Sequence, residues 1–134
     1  MGRTSSATYN INYHIVWCPK YRRGILKGKV EEFLKLCIYT IADTKDWVVH
    51  ALEVMPDHIH IFISAPPFQA PTDIVKILKG VTARQLFMEF PELKKKLWKG
   101  SLWSPSYYVG TAGNVSAETI KRYIEEQKSN SSTQ

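Results

Sequence analysis

Residues 57–63 read DHIHIFI, and the rest of the chain is organised around this stretch. Its residues alternate in polarity, as expected for a β-strand with two different faces. One face carries Ile59, Ile61 and Ile63, and the other carries His58, His60 and Phe62. Two imidazoles two positions apart on a strand lie side by side, so both can reach one divalent metal ion. The stretch therefore predicts a strand that the isoleucines anchor in the core and that presents a histidine pair on its other face.

The composition predicts one globular domain. The chain has 134 residues, of which 44% are hydrophobic and 22% charged, as in soluble proteins. No apolar run approaches a membrane span, and the first ten residues lack a signal-peptide core. Cys18 and Cys37 are isolated, which favours two reduced thiols. We expect a single cytoplasmic domain over residues 1–134, with flexible ends at about 1–8 and 129–134.

The chain is basic, with a formal net charge of +6. Such a charge favours a polyanionic partner, although many basic proteins bind none. Two segments, 20–29 and 94–108, mix cations with Tyr and Trp, a composition that suits phosphates to be neutralised and bases to be stacked. The candidate DNA contacts are Lys20, Arg22, Arg23, Lys27, Lys94, Lys95, Lys96 and Lys99. The alternative is an ordinary solvated surface.

Periodicity predicts an alternation of strands and helices. The predicted elements are a strand at 9–18, a helix at 30–45, a strand at 47–55, the histidine strand from 57, a helix N-capped by Thr72, short strands at 102–103 and 107–111 around Ser104-Pro105, and a last helix at 117–128. A turn at Pro56-Asp57 makes the second and third strands a hairpin, and Pro91 ends the second helix.

This order predicts an α+β fold, a ferredoxin-like βαββαβ antiparallel sheet with both long helices on one face. An extra strand and a C-terminal helix complete the prediction. The isoleucine face of the histidine strand then lies under the helices, and His58 and His60 emerge on the open face. His14, on the first strand, can share that face.

The histidine pair alone is only moderately specific, because two solvated or hydrogen-bonded histidines would give the same pattern. The last predicted helix carries Tyr123 and Gln127, which are neighbours on one helical face. Such residues are ordinarily a core tyrosine and a surface glutamine. An amide oxygen is nevertheless a competent ligand for a hard divalent ion, and a phenol is a competent nucleophile for phosphate.

Three blocks of the sequence resemble the single-tyrosine HUH transposases of small bacterial and archaeal insertion sequences, the two-hundred and six-hundred-and-five group. The blocks are YHIVWCPKYRRGIL at 13–26, VMPDHIHIFISAP at 54–66 and AETIKRYIEEQ at 117–127. That family carries His-hydrophobic-His on a strand and one tyrosine on a late helix. The histidine pair alone is shared with replication initiators and relaxases; the single tyrosine, the small size and the N-terminal block narrow the resemblance.

The resemblance implies a metal-dependent transposase acting on single-stranded DNA. His58, His60 and Gln127 would hold Mg²⁺ or Mn²⁺, and Tyr123 would form a covalent 5′-phosphotyrosine. It also implies recognition of hairpins at the ends of an insertion sequence. The active form would be a homodimer with composite sites, for which Gly110 and Gly113 are candidate hinges.

Three other functions are compatible with parts of the pattern. A replication initiator or relaxase-like HUH nuclease shares the histidine pair, but 134 residues leave no room for a helicase region. A non-catalytic nucleic-acid-binding module with this fold would carry stacking aromatics where the histidines stand. A small metal-binding protein would bind metal but no DNA hairpin.

Overall fold

The computed structural model describes residues 10–97 and 101–111. The elements in chain order are β1 (Ile11–Pro19), a 3-10 turn (Lys20–Arg22), α1 (Lys29–Lys45), β2 (Val48–Met55), β3 (His58–Ala65), α2 (Pro71–Glu89), α3 (Leu93–Lys96) and β4 (Trp103–Thr111). The strands form one antiparallel sheet in the order β2-β3-β1-β4. The predicted βαββαβ order and ferredoxin-like sheet are confirmed.

The core lies between the sheet and the two long helices. Ile59, Ile61 and Ile63 of β3 are fully buried, as the alternation predicts. They belong to one apolar cluster that includes Leu34 of α1 and Leu78 of α2. The period-two stripe of β3 therefore meets the helical stripes of α1 and α2, and this packing sends the intervening residues of β3 to the opposite face of the sheet.

The helix starting near residue 71 differs from the prediction at its first turn. Thr72 is not the N-cap; α2 begins at Pro71, Ala70 is the cap residue, and no side chain caps the helix. Proline suits the first helical position because its fixed φ matches the helix and its missing N–H has no helical partner to lose. At the other end α2 stops at Glu89, shortly before Pro91, as predicted.

The last strand is longer than predicted. The short strands expected on either side of Ser104-Pro105 form one strand, β4, and no fifth strand occurs within 10–97 and 101–111. β4 is the outermost strand of the described sheet and pairs with β1. A proline is tolerated in such a strand because its missing N–H need not bond a neighbour.

Gly110 lies inside β4 opposite His14, so it is not in a hinge loop as the sequence suggested. A Cβ atom at this position would come within 2.6 Å of the Tyr108 hydroxyl oxygen. The glycine is therefore explained by the close approach of the Tyr108 ring. Gly113, the helix at 117–128 and the predicted flexible ends at 1–8 and 129–134 lie outside the described residues.

Neither α1, α2 nor α3 could span a membrane, since none of these described helices combines sufficient length with a sufficiently apolar composition.

Candidate functional site

The β2–β3 hairpin places the two histidines of the motif. A two-residue turn at Pro56 and Asp57 connects the strands, and His58 is the first residue of β3. The centroids of the His58 and His60 rings are 4.9 Å apart, and both rings lie on the face opposite the buried isoleucines. The predicted side-by-side arrangement is confirmed.

A third histidine joins this face from β1. His14 is opposite Phe62 in the pairing of β1 with β3, and its ring centroid lies 5.6 Å from that of His60. The sequence predicted this shared face. However, residues 10–97 and 101–111 contain no group of three His, Cys, Asp or Glu side chains placed to hold a metal ion. The metal site predicted from the sequence is therefore not complete within the described residues.

The environment keeps the inner histidine neutral. Burial, and after it the positive charge of the adjacent His58 and His14, lower the pKa of His60 to about 4. Burial also lowers the pKa of His14. A neutral imidazole retains the lone pair that a metal ion needs. His60 Nδ1 is moreover buried without a hydrogen-bond partner among the described residues, an exception to the rule that buried polar atoms are paired.

The outer histidine is held by a carboxylate. His58 Nδ1 lies 2.8 Å from Asp57 Oδ1, and Arg22 donates to Asp57 Oδ2 at 3.0 Å. Burial alone would raise the pKa of Asp57, but the hydrogen bonds and positive charge of His58 and Arg22 outweigh it and leave the pKa below its usual value. An ionised carboxylate only accepts hydrogen bonds, so His58 donates from Nδ1.

The histidine pair opens onto a cavity of about 360 Å³. Besides His58 and His60, its lining includes Arg22, Ser106 and Tyr108. The Tyr108 ring is exposed and meets His14 edge-on at a centroid distance of 6.1 Å. A larger cavity of about 500 Å³ lies between α2 and β4, but no histidine lines it. The smaller cavity therefore combines two imidazoles, a cation and an aromatic ring, side chains of the kinds that bind metal ions and nucleotides.

The basic loop after β1 is tied by backbone hydrogen bonds to the β2–β3 turn and to the residue before β4. The Leu26 N–H bonds the Pro56 carbonyl at 3.0 Å, and the Lys20 N–H bonds the Leu102 carbonyl at 2.8 Å. Arg22 thus reaches the cavity, whereas Arg23 and Lys27 are exposed on the loop surface. Tyr21 and Arg22 both have left-handed backbone angles, each of which costs roughly 1–2 kcal/mol in a non-glycine residue.

The described lysines of the second basic segment lie outside the histidine cavity. Lys94, Lys95 and Lys96 form the exposed side of the short helix α3, and none of them lines the histidine cavity. Lys94 lies over the Phe87 ring, 5.4 Å from its centroid. Lys99, Tyr123 and Gln127 are outside the described residues. Their assignments remain predictions from the sequence.

Sequence reasoning missed the connection between Arg22 and Asp57. It named Arg22 as a DNA contact and Asp57 as a turn residue, but the two are 35 positions apart and no local period links them. It also missed a polar cluster on the open face, in which Ser64 bonds both Asn12 and His50. His50 lies on that face beside the register shift between Val49 and Ala51, and its ring centroid is 5.0 Å from that of Phe62.

The sequence matches the family described as "Transposase IS200 like" over residues 7–127. It is 46% identical over 119 residues to the ISDra2 transposase TnpA of Deinococcus radiodurans, a match that covers 89% of this chain and 85% of that protein. It is 32% identical over 123 residues to the transposase for insertion sequence element IS200 of Salmonella typhimurium, covering 90% of this chain and 81% of that protein.

Solved structures show the same fold. One is a crystal structure from Deinococcus radiodurans R1 of a protein described as a candidate transposase; the TM-score is 0.76 at 40% identity, and the match covers 95% of this chain and 98% of that one. Another is a REP-associated tyrosine transposase bound to a REP hairpin, with a TM-score of 0.62 at 13% identity, covering 92% and 68%. These matches confirm the resemblance carried by the three sequence blocks: the chain belongs to the IS200-like family of DNA transposases.

Proposed function

We propose that this transposase cuts and rejoins single-stranded DNA through a covalent 5′-phosphotyrosine on Tyr123, at hairpins that mark insertion-sequence ends. The observation that carries the proposal is the histidine pair of β3, which shares one cavity with Arg22 in a chain of the transposase family. Histidines placed only for packing would not be expected beside a cation in an open cavity.

His58, His60 and Gln127 would hold Mg²⁺ or Mn²⁺. The two imidazoles fit this role, because they are adjacent and His60 has a buried nitrogen without a described partner. A divalent ion supplies Lewis-acid polarisation of a scissile phosphate and fixes its position. With two neutral imidazoles and one amide as ligands, the protein would add no negative charge to compete with that phosphate.

Three further side chains would orient the histidine pair and bind the DNA. Asp57 holds the proton on Nδ1 of His58, so that Nε2 faces away from the carboxylate with its lone pair available. Arg22 lines the cavity and carries a permanent positive charge that would attract the DNA backbone. The exposed ring of Tyr108 offers a surface on which a base can stack.

The covalent step exchanges one phosphoester bond for another. The phenol oxygen of Tyr123 forms a bond to phosphorus, the bond from phosphorus to the 3′ oxygen breaks, and the phenol proton is replaced by one on the released 3′-OH. A 3′-OH of another strand then attacks the phosphotyrosine and restores the phenol. Bond energy is conserved, so neither a nucleotide cofactor nor a water nucleophile is needed.

DNA recognition would use the basic segments. Arg22 lines the histidine cavity, Lys20, Arg23 and Lys27 belong to the same basic loop, and Lys94, Lys95 and Lys96 are exposed on α3. The structurally similar REP-associated transposase is described as bound to a hairpin, which supports the same class of ligand. We further propose a homodimer in which Tyr123 of one subunit serves the histidines of the other.

The test is a covalent-adduct assay. The full chain is incubated with labelled single-stranded hairpin oligonucleotides and Mg²⁺, and adducts that resist denaturation are counted. Tyr123→Phe should abolish the adduct because the nucleophilic oxygen is gone, while hairpin binding stays nearly intact. Tyr39→Phe is the matched control, since Tyr39 lies on α1, away from the histidine face, and should leave the adduct unchanged.

An adduct that survives Tyr123→Phe would show that the nucleophile is wrong. Tyr108 would then be the first alternative, because its ring lines the histidine cavity. If the wild-type chain bound hairpins but formed no adduct with Mg²⁺ or Mn²⁺, the covalent mechanism would be refuted as a whole.

A further inference from the structure

Arg22, Asp57 and His58 form a hydrogen-bonded chain of three side chains. Each Asp57 oxygen has its own partner. Oδ1 lies 2.8 Å from His58 Nδ1, and Oδ2 accepts a hydrogen bond from Arg22 at 3.0 Å. The His58 side chain is largely buried, at 18% exposure, whereas Asp57 and Arg22 are 38% and 63% exposed. The three hydrogen-bonded side chains thus connect the protein surface with the histidine pair.

A carboxylate in this position constrains an imidazole in two ways. It selects the tautomer with hydrogen on Nδ1, and it fixes the ring plane through the direction of the hydrogen bond. Histidines that bind metal ions very often donate their other ring N–H to such a carboxylate, and loss of that partner weakens the site although no ligand is removed. Asp57 stands in this relation to His58.

The Arg22 end of the chain is also held in place. The backbone around it is left-handed at Tyr21 and Arg22, and hydrogen bonds on either side tie the loop to Leu102 and Pro56. A long exposed side chain on a free loop would gain little from one ion pair. Here the loop conformation places the Arg22 guanidinium beside the Pro56-Asp57 turn, directly before His58.

We propose that Asp57 is a positioning residue for the metal site and that Arg22 anchors Asp57, a role separate from any DNA contact Arg22 makes. Asp57 fixes the tautomer and orientation of His58, and Arg22 holds the second oxygen of Asp57. This inference rests on the proposed function, since it assumes that His58 binds the metal ion. It assigns to the basic loop a part in metal binding in the absence of DNA.

The first test measures Mn²⁺ affinity of the full chain without DNA, by isothermal titration calorimetry. Asp57→Asn should weaken binding by about 10- to 100-fold, as is usual when the carboxylate behind a ligating histidine is lost. Asparagine keeps the size of the side chain but offers one acceptor where two donors must be met. Arg22→Ala should weaken binding by about two- to fivefold, since the pair is exposed.

Glu31→Ala is the matched control. It also removes one carboxylate from an ion pair, with Lys35 at 3.0 Å, but this pair lies on α1. Its Mn²⁺ affinity should equal that of the wild type. A role for Arg22 in DNA contact alone would leave Mn²⁺ affinity unchanged in the DNA-free protein, so the Arg22→Ala result separates the two roles.

The second test reads the tautomer of His58 from ¹⁵N chemical shifts of its ring in the metal-free protein. The wild type should carry hydrogen on Nδ1, and Asp57→Ala should shift the population toward hydrogen on Nε2. A purely structural role of Asp57 would change thermal stability without changing the tautomer. Should Asp57→Asn fail to fold, Asp57→Glu and Arg22→Ala carry the same comparison.

The outcomes separate the two levels of the proposal. If the wild type binds Mn²⁺ and Asp57→Asn binds it equally well, the positioning role is overturned and the proposed function stands. If the wild type binds no Mn²⁺ and forms no adduct, the metal-dependent mechanism falls, and the role of Asp57 falls with it.

Discussion

The two faces of β3 differ in almost every physical respect, although their residues alternate along one strand. Ile59, Ile61 and Ile63 are fully buried under the helices and have no polar atom to satisfy. His58 and His60 lie on the other face, partly exposed, beside a cavity. Because neighbouring residues of a strand point in opposite directions, stability and chemistry can be altered one residue at a time.

The histidine face is built at the expense of ideal packing. His60 has a buried nitrogen without a described hydrogen-bond partner, and its pKa is lowered to about 4 by burial and by two neighbouring histidines. A strand selected only for stability would place apolar or hydrogen-bonded side chains here. The isoleucine face of β3 therefore stabilises the fold, and the histidine face forms the candidate site on the sheet that the isoleucines hold in place.

The largest effect is expected from removing either histidine of the pair. His58→Ala or His60→Ala should eliminate metal-dependent cleavage while the fold is retained, because the change lies opposite the core. Cleavage across a Mg²⁺ titration and circular dichroism measure the two properties. His50→Ala is the matched control: His50 lies on the same face but bonds Ser64, and cleavage should persist. Unaltered cleavage in both pair variants would remove the metal assignment.

Removing an isoleucine should give the opposite result. Ile61→Ala leaves a cavity under the helices and should lower the free energy of unfolding by about 2–5 kcal/mol. The folded fraction should keep its metal affinity, because the histidine face is untouched. Urea unfolding and Mn²⁺ titration measure the two effects. Leu36→Ala, at an exposed position of α1, should stay within about 0.5 kcal/mol of wild type. Loss of metal affinity at unchanged stability would contradict the separation of the two faces.

Gln127→Ala asks whether the open-face site is completed from beyond the described residues. We expect cleavage to require more metal ion but to survive, since water can replace one neutral ligand. The effect should be smaller than that of either histidine variant. A Gln127→Ala titration that superimposed on the wild type would reassign the third ligand, with His14 and Asp57 as the residues to test next.

The smallest expected effect is a dependence of folding stability on pH that comes from His60 on the histidine face. The folded pKa of His60 is about 4 against 6.5 for a free histidine, so the unfolded chain binds more protons between these values. Stability from His60 is therefore fully present above about pH 6.5 and declines as the pH falls toward 4. Urea unfolding at pH 7 and pH 5 measures this loss. His60→Gln should reduce it; a difference unchanged by the substitution would place the titration elsewhere.

Much of the fold was predictable from local patterns. The alternation in residues 57–63 and the helical stripes of α1 and α2 each bury one face, and hydrophobic burial enforces that outcome. The exceptions depend on context. Pro105 is tolerated in β4 because β4 is outermost in the described sheet and its register against β1 shifts between Trp103 and Tyr107. Gly110 is explained by the close approach of the Tyr108 ring.

The sequence by itself determined that His58 and His60 stand side by side, because the period of a strand is two residues wherever the strand lies. It also carried the family resemblance, through blocks at both ends of the chain. Only the tertiary structure decided that Arg22 meets Asp57 and that the His14 ring comes within 5.6 Å of the His60 ring. These contacts join segments far apart in the chain, and their distances depend on how β1, β3 and the basic loop pack together, which no local periodicity encodes.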